Sequence, residues 1–154
     1  MITTCFKSKI GILELIEHKR RIVSVRFVER LPNVRRRPSK FLTGVLKELK
    51  EYFSRRRSSF SSPFYQNGSS FQRRVWKELL KIPCGATITY KELARRIGHP
   101  RAVRAVGSAV GKNKIAILVP CHRLLGSGGR LSGYAYGVRR KKKLLDHEQT
   151  IINF

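Results

Sequence analysis

The sequence predicts an α+β fold, with a small β-sheet/helix module first and a mostly helical domain after it. Three observations predict it. Residues 13–27 alternate apolar and polar side chains with period two, as half-buried strands do. After Ser39, and again from Ser70, apolar residues instead recur every three or four positions. Between these patterns, residues 55–70 are serine-rich and hold glycine and proline, which marks a connection. The chain therefore divides into an N-terminal scaffold module (1–60), a linker (61–70) and a C-terminal domain (71–154). The last is expected to carry a helix-turn-helix, winged-helix-like element.

In the first module, Leu13 and Leu15 flank Glu14, and Val23, Val25 and Phe27 alternate with Ser24 and Arg26. The polar turn His18-Lys19-Arg20-Arg21 joins them into a hairpin spanning Leu13 to Glu29. Ser39 suits a helix N-cap, and Phe41, Leu42, Val45, Leu46, Leu49, Tyr52 and Phe53 then share one helical face. No catalytic pattern occurs here, so the module reads as scaffold. Arg55-Arg56-Arg57 opens the connection as a solvated charge patch.

The C-terminal domain begins with a helix carrying Phe71, Val75, Leu79 and Ile82 on one stripe, with Trp76 beside it as core. Pro83-Cys84-Gly85 breaks that helix. Thr89 and Glu92 have the spacing of a capping box for a short helix, Tyr90 to Ile97, closed by Gly98. A second helix runs from Pro100 to Val110. At 100° per residue Val103, Val106 and Val110 fall together and face the core. The opposite face carries Arg101, Arg104, Ala105, Ser108 and Ala109, and small residues flanked by arginines let a backbone approach a polyanion closely. A last helix, Val138 to Glu148, is basic from Arg139 to Lys143.

The charge points the same way. With 34 Lys+Arg against 9 Asp+Glu the net charge is +25, which calls for a polyanionic partner, nucleic acid first. No run approaches the roughly 18 apolar residues of a membrane span, and no leader opens the chain. A soluble, cytoplasmic protein is expected. Three cysteines without paired spacing argue for reduced thiols, and the four scattered histidines offer no zinc pattern.

The chemistry concentrates at Val119-Pro120-Cys121-His122-Arg123, behind the apolar run Ile115-Ala116-Ile117-Leu118. That run reads as a buried strand, ended by a proline with no N–H for a ladder. A cysteine is a nucleophile as the thiolate, and basic neighbours favour that form. Cys84 lacks such neighbours. In an extended chain Cys121 and His122 would point to opposite faces, so either the backbone turns or a water bridges them. A histidine acting as base also needs a third group to orient it. The glycine- and serine-rich loop 126–133, with Tyr134-Ala135-Tyr136-Gly137 after it, suggests a lid or a pocket wall.

Pro120-Cys121-His122-Arg123, with Phe71-Gln72-Arg73-Arg74-Val75-Trp76, Ile82-Pro83-Cys84-Gly85, Thr89-Tyr90-Lys91-Glu92-Leu93-Ala94 and Arg104-Ala105-Val106-Gly107, resembles the O6-alkylguanine-DNA alkyltransferases. The likeness runs from Phe71 to about Glu148. It implies a repair protein that flips O6-alkylguanine, and also O4-alkylthymine, out of duplex DNA. The alkyl group then moves irreversibly to Cys121, once per molecule, without a cofactor or metal. The family's relay of cysteine, water, histidine and glutamate falls on Cys121, His122 and Glu148. Its hinge asparagine matches Asn113, its arginine finger Arg104, its base-swinging tyrosine Tyr90 and its pocket tyrosine Tyr134. Arg101, Ala105, Ser108, Ala109 and Arg123 complete the expected DNA contacts, with the 139–143 cluster as a further source of phosphate contacts. The family often has Ser-Gly after the pocket tyrosine, where this chain has Ala135-Tyr136. A monomer is expected, acting on double-stranded DNA that contains alkylated bases. The alternative is a non-catalytic alkyltransferase-like lesion binder, whose kind replaces the cysteine retained here as Cys121. A basic architectural protein would need no Cys-His pair, and a Cys-His hydrolase would need an oxyanion motif that is not readable.

Overall fold

The computed structural model describes residues 1–34 and 36–153. Its N-terminal part is a three-stranded antiparallel sheet in the order β1 (Ile2–Lys7), β2 (Ile12–His18), β3 (Arg21–Val28). The expected hairpin is β2–β3, where Leu13 pairs with Phe27 and Leu15 with Val25. Its two turn residues, Lys19 and Arg20, both adopt positive φ (50° and 58°), matching the tight turn that suits strand twist. Strand β1 is not announced by the sequence pattern. Ile2 to Lys7 carries its polar and apolar side chains in mostly half-buried positions, so it lacks the alternation that betrays a strand with one wet face.

Helix α1 (Lys40–Phe53) starts where Ser39 accepts the Leu42 N–H at 3.0 Å. It buries Leu42, Val45, Leu49 and Tyr52 completely, each such side chain contributing about 1.5–3 kcal/mol by leaving water. Phe53 stacks on Phe6 of β1 with ring centroids 5.7 Å apart. Glu48, on the same face, accepts the backbone N–H and hydroxyl of Ser61 and the hydroxyl of Ser62. Those bonds hold down the chain after the helix. It then runs along the free edge of β3, where Ile22 donates to Pro63 and accepts from Tyr65.

The same edge of β3 also holds the run before Cys121. Val25 donates to Lys114 and accepts from Ala116, both at 2.9 Å, an isolated parallel bridge between Val25 and Ile115. Beyond it the expected strand does not form. Leu118 N–H bonds to Ala116, Val119 to Ile115 and Cys121 to Val119, and Ile117 adopts φ 71°, so the run is a tight coil. All five side chains from Ile115 to Val119 are buried, and a segment apolar on every side has no periodicity to reveal its path.

The C-terminal part packs α2 (Ser70–Leu79), α3 (Tyr90–Arg96), α4 (Val103–Gly111) and α5 (Val138–Ile152). A capping box of Ser69 and Gln72 opens α2. Trp76 is core, its Nε1–H donating to Ala109 O at 2.9 Å. Ile82 is buried beyond the end of α2. Thr89 caps α3 by accepting the Glu92 N–H, but the Glu92 carboxylate pairs with Arg95 and Arg96 rather than reaching back. Helix α4 starts three residues later than expected, because residues 100–102 form the turn from α3. Val106 and Val110 face the core; Val103, in the first turn, is exposed. Two short parallel strands, β4 (Ile88–Thr89) and β5 (Leu124–Leu125), tie the start of α3 to the segment after Cys121. Among the described residues no helix is long and apolar enough to cross a membrane.

Candidate active site

The coil 115–119 delivers Cys121 into a single 3-10 turn, Cys121–Arg123. The turn settles the geometry that an extended chain would have made awkward. Cys121 is 7% exposed at a cavity of about 490 Å³. Tyr90 of α3, Gly107 and Val110 of α4, and Tyr134 and Tyr136 of the glycine-rich loop supply its walls. The three neighbouring side chains of the turn thus divide, the thiol toward the cavity and the two basic groups toward α5.

Glu148, wholly buried on α5, is their common partner. Its Oε1 lies 2.7 Å from His122 Nε2 and accepts from Arg123 Nη2 at 2.9 Å and from the Tyr52 hydroxyl at 2.8 Å. Its Oε2 accepts Arg123 Nε at 2.9 Å, so the guanidinium grips the carboxylate with two parallel bonds. Arg123 Nη1 donates to Ile82 O at 2.6 Å. Burial alone would raise the Glu148 pKa, but the His122 and Arg123 contacts outweigh it and hold the carboxyl well below its usual range. A carboxylate at Nε2 favours the proton on that nitrogen, leaving Nδ1 as the basic lone pair. Nδ1 is buried with no hydrogen-bond partner among the described residues.

Arg123 was expected at the DNA surface. It is buried, and its charge is spent on Glu148 rather than on a phosphate or on the neighbouring thiol. Burial accordingly pushes the Cys121 thiol up, opposed by a hydrogen bond from the Asn113 side chain and by the charge of Lys141. Lys141 is a second correction, since the 139–143 cluster is expected to supply phosphate contacts. Its side chain is 0% exposed, donates to Gly133 O at 3.2 Å, and stands 5.7 Å over the Tyr90 ring. Burial lowers its pKa and the nearby Cys121 raises it. Arg139, Lys142 and Lys143 remain exposed. Cys84 sits near the other side of Glu148, where burial and that carboxylate push its thiol up to about 11.

Asn113 follows α4 and is buried. Its Nδ2 donates to Val119 O, and its Oδ1 accepts from Ile115 N and from Gln66 Nε2, all at 3.0 Å. On α4 itself Arg104, Ala105 and Ser108 are exposed, as is Arg101 in the preceding turn. Ala109 is not on that face: it is buried, with its carbonyl bonded to Trp76, because the helix turns it inward beside Val106 and Val110. Tyr134 and Tyr136 meet edge to face at 5.4 Å, and Tyr136 meets Phe27 of β3 in the same way at 5.4 Å. Ala135 is exposed and lines the same cavity. Tyr52 and Gln66 had no site signal in the sequence, because each acts on a partner far away in the chain.

Fold and site together define a basic helix-turn-helix protein with a carboxylate-backed Cys-His pair at a cavity beside the second helix. The chain belongs to the 6-O-methylguanine DNA methyltransferase family: residues 70–150 match its DNA binding domain and residues 1–65 its ribonuclease-like domain. A methylated-DNA–protein-cysteine methyltransferase of Mycobacterium tuberculosis is 42% identical over 148 residues, 93% of this chain and 89% of the relative. One from Methanosarcina barkeri is 49% identical over 110 residues, 71% of this chain and 70% of the relative. The crystal structure of Mycobacterium tuberculosis OGT in complex with DNA has a TM-score of 0.88 at 39% identity, covering 98% of this chain and 94% of that one.

Proposed function

We propose that this protein repairs duplex DNA by moving the alkyl group of O6-alkylguanine, and of O4-alkylthymine, onto Cys121 in a single turnover. The observation that carries this reading is the thiol at the cavity, with the His122 ring fixed by Glu148 and its Nδ1 unpaired. His122 takes the thiol proton through a bridging water. The thiolate then attacks the alkyl carbon in line, the carbon–oxygen bond breaks, and its electron pair stays on the base. Tyr90, whose hydroxyl burial holds protonated, donates to the leaving base. The product thioether has no route back to thiolate, so each molecule acts once. Glu148 orients His122, Asn113 orients the thiol, and Tyr134 and Tyr136 wall the alkyl group.

The lesion oxygen lies inside the base stack, so the nucleotide must be extruded at a cost of about a few kcal/mol. Arg104 fills the gap it leaves, while Ala105 and Ser108 admit the helix to the groove and Arg101 meets phosphate. The chain works as a monomer, in the cytoplasm, where its three free thiols stay reduced. A lesion binder without chemistry is disfavoured, since the nucleophile and its base are both in place. Mass spectrometry after incubation with DNA containing O6-methylguanine tests the reading. One methyl group per protein, mapped to Cys121, is expected; label on Cys84, or repeated turnover, overturns it.

A further inference from the structure

Asn113 can orient the Cys121 thiol only if its own amide is held one way round. An asparagine amide presents an acceptor at one end and two donors at the other, and nothing intrinsic stops it from flipping. Two N–H groups converge on its Oδ1 here. One is the backbone N–H of Ile115; the other is Nε2–H of Gln66, from the segment between α1 and α2. A flipped amide would aim its own donors at both. The Gln66 amide is fixed in turn, because its Oε1 accepts Lys114 N–H at 3.0 Å. Tyr65, its neighbour, is bonded to Ile22 of β3, so the backbone cannot withdraw. Gln66 is 9% exposed, a poor place for an amide that served solubility.

We propose that Gln66 is a positioning residue for the nucleophile. By donating to Asn113 Oδ1 it locks that amide with Nδ2 on Val119 O, two residues before Cys121 and in the lining of the cavity that Cys121 shares. The link rests on the reading of Cys121 as nucleophile, and it runs from the edge of β3 through Gln66 and Asn113 to the thiol. An N–H aimed at sulfur favours the thiolate over the thiol. The other titratable groups around the sulfur are Tyr90 of α3, Tyr134 and Tyr136 of the loop, Lys141 of α5 and His122. Among the described residues none of these hydrogen-bonds to Gln66, whose side chain bonds to Asn113 and to Lys114 N–H, so a change at Gln66 reaches the thiol by way of Asn113.

The test is the titration of Cys121 by thiolate absorbance in protein carrying Cys5→Ser and Cys84→Ser, without DNA. Gln66→Met removes the donor at similar size and without charge. It should raise the titration midpoint by about one pH unit, a tenfold loss of thiolate below it. Gln66→Glu retains the acceptor for Lys114 but offers no donor, and should shift the midpoint the same way. In an Asn113→Ala background Gln66→Met should do nothing further. An unmoved midpoint in folded Gln66→Met protein, or an equal shift with Asn113 already replaced, overturns the proposal. If Gln66→Met does not fold, the Gln66→Glu midpoint measured with and without Asn113→Ala decides: a shift that persists with Asn113 replaced is the through-space effect of the new charge and overturns the proposal. The readout contains no methyl transfer, so a failure of the repair reading would leave this result standing.

Discussion

The Tyr52 hydroxyl, at the end of α1, donates to Glu148 Oε1 on α5 across 2.8 Å and 96 residues of sequence. Helix α1 therefore reaches the carboxylate that holds the His122 ring beside Cys121. Burial and the adjacent carboxylate keep this phenol well above its usual pKa, so it remains a donor throughout the working pH range. Tyr52→Phe keeps the ring and removes one hydrogen bond from a buried charge. We expect a stability loss of about 2 kcal/mol, read from the urea midpoint at unchanged slope. An unaltered midpoint would mean that His122 and Arg123 alone satisfy the carboxylate.

Glu148→Gln should be more damaging, because it leaves the Arg123 charge buried against a neutral amide. Breaking such a pair costs about 3–5 kcal/mol. The pH dependence separates this from a packing defect. The folded pKa of Glu148 is depressed, so its contribution is complete above the unfolded carboxyl value and declines as pH falls toward the folded one. Below about pH 4.3 the native protein should lose stability at up to about 1.4 kcal/mol per pH unit through this group. Unfolding curves of Glu148→Gln should be flatter over that acid range by the same amount.

Arg104→Ala should impair repair of duplex DNA far more than reaction with a free O6-alkylated guanine base, which needs no extrusion. Replacing Arg101 should instead weaken DNA binding evenly and reduce its salt slope by about one. Equal losses on duplex and free base for Arg104→Ala would remove it as the wedge.

Tyr136 narrows the cavity where it meets Tyr134, and its contact with Phe27 keeps the ring from swinging away. Tyr136→Gly should therefore speed reaction with O6-benzylguanine by about tenfold or more, while methyl transfer changes little. A slower benzyl reaction would make the ring a stacking wall instead.

What could be read in advance follows from where information lies along the chain. Leu13, Leu15, Val25 and Phe27 alternate, and Ser39 and Thr89 cap their own helices, so local sequence was enough. The coil 115–119 was misread because every side chain in it is buried, which erases periodicity. Cys121 and His122 stood out as a pair, but Glu148 became legible through the family resemblance alone. Lys141 was hidden inside a basic run, and Arg123 beside a nucleophile looked like an activator or a phosphate contact. Their true partners, Gly133 and Glu148, are set by the folded path of the loop and of α5.

The edge of β3 has one further consequence. Val25 offers its N–H and its carbonyl to Lys114 and Ala116, so the outermost rung of the sheet is completed by the segment that leads to Cys121. A cleavage between the two halves would leave a bare strand on one fragment, open to adventitious pairing with other chains. It would leave a wet, unanchored approach to the thiol on the other. Amide exchange at Val25 and Ala116 should therefore slow and quicken together, as in one cooperative unit, whichever half is perturbed.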